Sequence, residues 1–209
     1  MKIDFAHTLR VVLVAIGVLV GAAALAAEPP TPCPAQDSAA YYFPASLGVS
    51  ASEDQVFRGT YSAMLHIMKE PSLSCGDTAP GYRFLWLRTF HHPVAVRLTV
   101  RAGHGTLQAT ELSGAAGYQP GSVLRRVSRE LESKAVARVQ AAWVGTDLWK
   151  APVRSGPMGF DGSEWIVEAR DGSRYHAVSR WSPKEGPVRE FGLLLLSLTG
   201  WQYPSPELY

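Results

Sequence analysis

The chain has 209 residues, of which 46% are hydrophobic and 18% charged, and its formal net charge is +2. This length favours a single domain with a real core, and the apolar content is typical of a packed globular protein rather than a disordered one. The nearly balanced charge argues against nucleic acid as the main partner, because phosphate binding usually needs a concentrated basic excess.

The first 26 residues have the three zones of a secretory signal peptide. Lys2 and Arg10 form a positive start, residues 11–24 are apolar, and Ala24-Leu25-Ala26 supplies small residues for cleavage. The apolar run is shorter than the ~20 residues of a membrane-spanning helix, so no transmembrane span is expected after cleavage. An uncleaved anchor is the alternative. The sequence therefore predicts a periplasmic or secreted protein, whose mature part has a formal charge of +1.

Cys33 and Cys75 both lie in the mature part of the chain. In an oxidising compartment such a pair usually forms a disulfide, and two free thiols are the alternative. The bond would fasten an irregular arm, residues 27–50, to a single domain formed by residues 51–209. Neither cysteine has the CxxC spacing or the basic surroundings of a catalytic thiol.

Apolar periodicity predicts the elements of this domain in chain order. A helix is expected after Ser52, with an apolar stripe that includes Phe57 and Leu65, and it should end at Pro71. From Tyr82 the apolar period changes to two, which predicts a strand and then a hairpin. Its turn is expected at 102–105. The ambiguous residues 123–131 are interpreted as a third strand that runs into a helix of about residues 133–145.

The C-terminal part predicts a second hairpin around Asp171-Gly172, followed by a helix of about residues 187–198. A three-residue loop sets Val167 opposite Tyr175 and leaves one nearly pure apolar face. A two-residue loop sets Val167 opposite His176 and mixes the faces, so we prefer the first register. The expected fold class is α+β, with an antiparallel sheet of about five strands and helices packed on one face.

Three short segments carry a resemblance to other proteins. Asp161-Gly162-Ser163-Glu164-Trp165, Arg180-Trp181-Ser182-Pro183 and Leu198-Thr199-Gly200-Trp201 resemble a group of small exported bacterial proteins that has no assigned activity. The resemblance covers mainly residues 157–201. It implies export and a single domain, and it carries over no catalytic residue.

The preferred register gathers Glu168, Arg174, His176 and Arg180 on the polar face of the second hairpin. The two arginines could bind an anionic group through bidentate contacts, which makes these four residues a candidate ligand or partner site. Glu168 and His176 could instead act as an acid and base pair. The other interpretation is a solvated sheet face with ordinary ion pairs, each worth little.

Other signals for chemistry are weak. The histidines lack zinc-ligand spacing, and the chain has no GxSxG or SxxK motif, so no metal, cofactor or catalytic residue is predicted. A basic cluster could contact envelope anions, although nearby glutamates interrupt it and a solvated face is the other interpretation. Its members are Arg125, Arg126, Arg129, Lys134 and Arg138. The tryptophans are interpreted as core and edge packing rather than as sugar-stacking platforms.

The expected function is that of an exported, non-catalytic binding or interaction protein. Its partner would be an unknown protein or an anionic envelope ligand. One alternative is a cell-envelope hydrolase that uses Glu168 and His176. The other is an inhibitor or immunity-type protein dedicated to one partner.

Overall fold

The computed structural model describes residues 33–35, 38, 41–44, 47, 50–76, 79–157 and 159–209, so the predicted signal peptide lies outside the described residues. The strands are β1 (Gly81–Arg88), β2 (Val94–Arg101), β3 (His104–Leu112), β4 (Val123–Leu131), β5 (Ser163–Asp171) and β6 (Arg174–Trp181). The helices are α1 (Ala51–Gln55), α2 (Ser62–Ile67), α3 (Ser133–Gly145) and α4 (Pro187–Thr199). The six strands form one antiparallel sheet in the order β4-β3-β2-β1-β5-β6. The α+β prediction is confirmed, with six strands where about five were expected.

β1 is buried on both sides, and so is β5 except at Asp171, so the sheet has a core on each face. The buried residues of these two strands also include charged side chains, such as Arg83 and Glu168. On the α3–α4 face, Phe84 and Trp165 pack beneath helices α3 and α4. On the N-terminal face, Leu85 and Ile166 pack beneath the segment that contains α1 and α2. The structure thus differs from the prediction in placing the first helical segment opposite the other helices.

The N-terminal helical segment begins with a capping box. The Glu53 N–H donates to Ser50 Oγ over 3.4 Å, and the Ser50 N–H donates to a Glu53 carboxylate oxygen over 2.9 Å. The N-cap of the helix is therefore Ser50, whereas the sequence predicted Ser52. Between α1 and α2, residues Val56–Tyr61 form a π-helical turn.

The first hairpin has a tighter turn than the sequence predicts. Arg101 pairs with His104, which leaves only Ala102 and Gly103 in the turn. Their φ angles are 49° and 79°, as the mirror-image two-residue turn requires. Because the register moves by two residues, the same side chains still face the core.

The predicted disulfide between Cys33 and Cys75 is confirmed. It ties the N-terminal arm to the chain just before β1. Tyr42 and Phe43 of this arm are buried in the core of the N-terminal face. Part of the arm that was predicted to be irregular therefore contributes to the core.

Candidate functional site

The structure places the four residues of the site predicted on the second hairpin on two different faces of the sheet. Val167 pairs with Val178 and Asp171 with Arg174, so the turn is Gly172-Ser173 and both registers considered from the sequence were wrong. In the observed register Glu168 lies on the N-terminal face. Arg174, His176 and Arg180 lie on the α3–α4 face, because alternate residues point to opposite sides.

Glu168 is part of a buried ion pair rather than an acid/base pair. Both of its carboxylate oxygens accept hydrogen bonds from Arg83, each over 2.6 Å, and both side chains are fully buried. Burial, the largest single influence, would lower the pKa of Arg83, but the charge and hydrogen bonds of Glu168 together with smaller contributions from Glu70 and Tyr175 outweigh it, and the pKa is raised. The Tyr175 hydroxyl also donates to Glu168, over 2.8 Å.

The other three predicted site residues hold the chain that borders β6. His176 Nε2 donates to the Ala151 carbonyl oxygen over 2.8 Å, and Arg180 Nη1 donates to the Pro152 carbonyl oxygen over 3.1 Å. The Arg174 guanidinium lies 4.1 Å from the centre of the Trp149 ring. Glu168 and His176 therefore do not form the acid/base arrangement that a hydrolase would need.

A different arrangement of side chains forms an open cavity of about 370 Å³ on the N-terminal face. This volume is in the range of small-molecule sites. We call it the aromatic cleft. Its principal side chains are Tyr61, Tyr118, Arg154, Phe160, Glu164 and Trp181.

The floor of the aromatic cleft is polar and buried. Arg154 Nη2 donates to Glu164 over 3.2 Å and Arg154 Nη1 donates to the Tyr61 hydroxyl over 3.2 Å. The Ser179 hydroxyl donates to the other Glu164 oxygen. Burial, together with the Glu164 charge, raises the pKa of the Tyr61 phenol above its ordinary value. The floor thus presents fixed donors and acceptors whose charges offset each other.

The rim of the cleft exposes two aromatic rings to solvent. The Phe160 side chain is 97% exposed and that of Tyr118 is 68% exposed. Both belong to loops that hydrogen-bond to Thr89: its N–H donates to the Gly162 carbonyl oxygen, and its carbonyl oxygen accepts from the Gly117 N–H. The exposed rings therefore project from loops that the sheet holds in place.

Two glycines allow these loops to approach so closely. A Cβ at Gly117 would lie 2.9 Å from the Thr89 carbonyl oxygen, and a Cβ at Gly159 would lie 2.3 Å from the Trp181 ring nitrogen. Real side chains do not tolerate such contacts, so any larger residue would displace the rim.

In addition to the floor and the rim, the cleft has a side wall formed by the π-helical turn. Val56, Thr60 and Tyr61 line the cavity, and all three belong to this turn. Short π-helical insertions occur frequently at functional sites, because the extra residue redirects side chains out of the α-helical pattern.

The sequence alone did not indicate the cleft. Its residues come from separate places in the chain, and Trp181 was interpreted as packing. The one signal was Phe160 between Gly159 and Asp161, an apolar ring in a loop-forming stretch. In the described part of the chain no group of three potential ligands could hold a metal ion.

Comparison with known proteins adds no assignment. No family model matches the chain, and no curated protein shows significant similarity to it. Among the helices of the described ranges, none combines the length and apolar character needed to cross a membrane.

Proposed function

We propose that this protein is an exported, non-catalytic binding protein whose aromatic cleft takes a small neutral or cationic ligand with an apolar ring face. The observation that carries the proposal is the pairing of exposed Phe160 and Tyr118 with the buried polar floor. Aromatic rings left in water at the mouth of a cavity give contact area at low entropic cost. Buried donors and acceptors orient the polar groups of a ligand.

The charge of the cleft supports this ligand class. Arg154 and Glu164 offset each other, and Asp161 adds a negative charge at the edge. An anion would be repelled, whereas a hydroxyl-bearing ring such as a sugar could stack on the rim and bond to the floor. Glu164 accepts from Arg154 and Ser179, and these two contacts fix its carboxylate as part of the floor.

Export is supported by two features of the chain. The first 26 residues have the composition of a signal peptide, and the Cys33–Cys75 disulfide is of the kind found in oxidising compartments. Sequencing the N-terminus of protein recovered from the periplasm tests this part. Cleavage is expected after Ala26 or within two residues of it, and a mature chain that still begins at Met1 would contradict it.

Ligand-observed NMR with three matched sugars tests the cleft. Glucose, cationic glucosamine and anionic glucuronate differ in charge but share a ring, so we expect the first two to bind better than the third. Phe160→Ala and Tyr118→Ala should each weaken binding about tenfold, an ordinary loss for an aromatic contact. Val144→Ala shortens an exposed apolar residue on α3, 63% exposed, and should have no effect.

Two results would contradict the proposal. Preference for glucuronate would reject the charge argument, and equal binding by Phe160→Ala and the parent protein would reject the cleft. If no sugar binds but a co-purified protein is lost on Phe160→Ala, the rim is a protein contact and the partner-dedicated alternative replaces this one.

A further inference from the structure

A second cavity, of about 310 Å³, lies on the N-terminal face beyond the end of α2. The helical segment packs over Leu85 of β1, Ile166 of β5 and Ala177 of β6, and the cavity is lined by residues of β2, β3 and β4. We call it the basic groove. The side chains that matter to its chemistry are Lys69, Glu70, Arg97, Thr110, Arg126 and Ser128.

The groove has an excess of positive charge. Lys69, Arg97 and Arg126 contribute three cations, and Glu70 contributes one carboxylate, which leaves a local charge of +2. Glu70 is held by Arg97, whose Nε donates to it over 2.9 Å. Among the residues that the structure describes, no carboxylate lies within 4.0 Å of the Lys69 ammonium.

Arg126 is fixed in position over the groove. Its Nη2 donates to the Met68 carbonyl oxygen over 2.9 Å, and its Nε lies 3.4 Å from the Thr110 hydroxyl. The hydroxyls of Thr110 and Ser128 add short polar groups from neighbouring strands. A pre-positioned guanidinium with adjacent hydroxyls is suited to the oxygens of a phosphate or sulfate group.

The backbone at Lys69 is the second, independent observation. Its φ is 55°, in the left-handed region that favours glycine, at the position just past the end of α2. The Lys69 N–H donates to the His66 carbonyl oxygen and the Glu70 N–H donates to that of Leu65, which is the helix-ending arrangement in which glycine is usual. A lysine here costs stability, and strained residues of this kind cluster at functional sites.

We infer that the basic groove binds a phosphate or sulfate group, with Lys69 and Arg126 as its principal cationic contacts. This site is separate from the aromatic cleft, whose charge disfavours anions, and it does not depend on the function proposed there. The same anion chemistry is carried by lipid headgroups, by sulfated or phosphorylated saccharides and by free phosphate.

Lys69→Gly gives a direct test, because glycine adopts the positive φ angle at this position without strain and the substitution also removes the lysine charge. Inorganic phosphate is titrated into the mature protein at constant ionic strength, and the amide shifts of residues 69, 110 and 128 are followed by NMR. We expect a saturable response in the parent protein and about tenfold weaker binding in Lys69→Gly, the loss of one charge-assisted contact. Its melting temperature should be equal or higher.

Two controls separate the site from general charge effects. Lys150→Ala removes an exposed lysine that pairs with Asp147 and should leave phosphate binding unchanged. Ala102→Gly relieves another left-handed position, at φ 49°, and should raise stability without changing phosphate binding. Arg126→Gln should weaken phosphate binding as Lys69→Gly does.

Three outcomes would overturn the inference. They are a response to phosphate no greater than that to chloride, equal weakening by Lys150→Ala, or a Lys69→Gly protein that melts lower and binds phosphate normally. Sedimentation with phosphatidylcholine vesicles, with and without phosphatidylglycerol, then identifies the source of the anion. Binding that needs phosphatidylglycerol and depends on Lys69 indicates a lipid headgroup, and phosphate binding without vesicle binding indicates a soluble anion.

Discussion

Both faces of the sheet have a buried core, but the two cores differ in how much charge they contain. The α3–α4 face has an aromatic core in which the Trp165 ring lies 5.0 Å from that of Phe84, and it buries one ion pair, Arg88–Glu111, at the end of β1. The N-terminal face buries three arginine–carboxylate pairs in addition to its apolar residues. These pairs are Arg83–Glu168, Arg97–Glu70 and Arg154–Glu164.

This difference indicates a division of roles. Apolar packing stabilises a fold through the area that it buries, whereas a buried ion pair contributes little net stability because desolvation offsets its attraction. Ion pairs do fix the positions of the groups around them. Both proposed sites adjoin such a pair on the N-terminal face, the aromatic cleft beside Arg154 and the basic groove beside Arg97.

Removing one member of the deepest pair should give the largest effect. Glu168→Ala leaves the fully buried Arg83 charge uncompensated, and we expect a loss of about 3–5 kcal/mol in the free energy of unfolding. Urea denaturation followed by circular dichroism measures it. The double variant Arg83→Met/Glu168→Leu should recover most of this loss, since it removes both charges together. A double variant as unstable as Glu168→Ala would mean that the pair itself stabilises the protein.

Reducing the disulfide should weaken the N-terminal face more than the other. The Cys33–Cys75 bond closes a loop of 42 residues and restrains the arm that buries Tyr42 and Phe43. On the chain-entropy model its loss costs about 4 kcal/mol. Hydrogen exchange with and without reductant should show faster exchange in α2 than in α4. A Cys33→Ser/Cys75→Ser variant should not respond to reductant, and equal acceleration of both helices would contradict the comparison.

Alkaline pH should destabilise the protein through tyrosines on both faces. Burial raises the pKa of Tyr82 to about 12 and that of Tyr175 well above its ordinary value, with the Glu168 carboxylate adding to the effect at Tyr175. Above pH 10 the unfolded chain loses these protons while the native protein retains them, so stability should fall from pH 10 to 12.

Urea denaturation at pH 9 and pH 11 measures this fall. Tyr175→Phe and Tyr82→Phe should each make the difference between the two pH values smaller, whatever they do to stability at pH 9. The Tyr175 change should have the greater effect. If both variants lose as much stability between pH 9 and pH 11 as the parent protein does, other groups control the alkaline transition.

Elements with a single apolar face could be predicted well from the sequence. The periodicity of α3 and α4 gave their ends to within about one residue, and the strand at 123–131 is present. The second hairpin could not be placed in this way, because Trp165, Ile166 and Val167 are all apolar. With both faces buried, alternation no longer identifies the solvent side, and Glu168 was placed there because its partner Arg83 is 85 residues away.

The smallest effects are expected at the predicted site residues on β6. Arg174 is exposed and stacks on Trp149, and such contacts contribute about 0.5–1 kcal/mol at exposed sites. His176 is partly buried and gives one hydrogen bond to the Ala151 carbonyl oxygen, which water can replace at this edge. Arg174→Ala and His176→Ala should therefore each stay within about 1 kcal/mol of the parent protein, as for other surface substitutions.

These two variants also separate the two faces functionally. Because Arg174 and His176 lie on the α3–α4 face, their loss should change neither sugar binding at the aromatic cleft nor phosphate binding at the basic groove. The sugar and phosphate titrations are repeated with each variant, under conditions in which the variant and the parent protein are equally folded. Phe160→Ala and Lys69→Gly are each expected to weaken binding about tenfold. If Arg174→Ala or His176→Ala did the same, the proposal that both ligands bind on the N-terminal face would be wrong. If both variants keep their stability and bind both ligands normally, then Arg174 and His176 serve to hold residues 149–154 against β6 and take no part in ligand recognition.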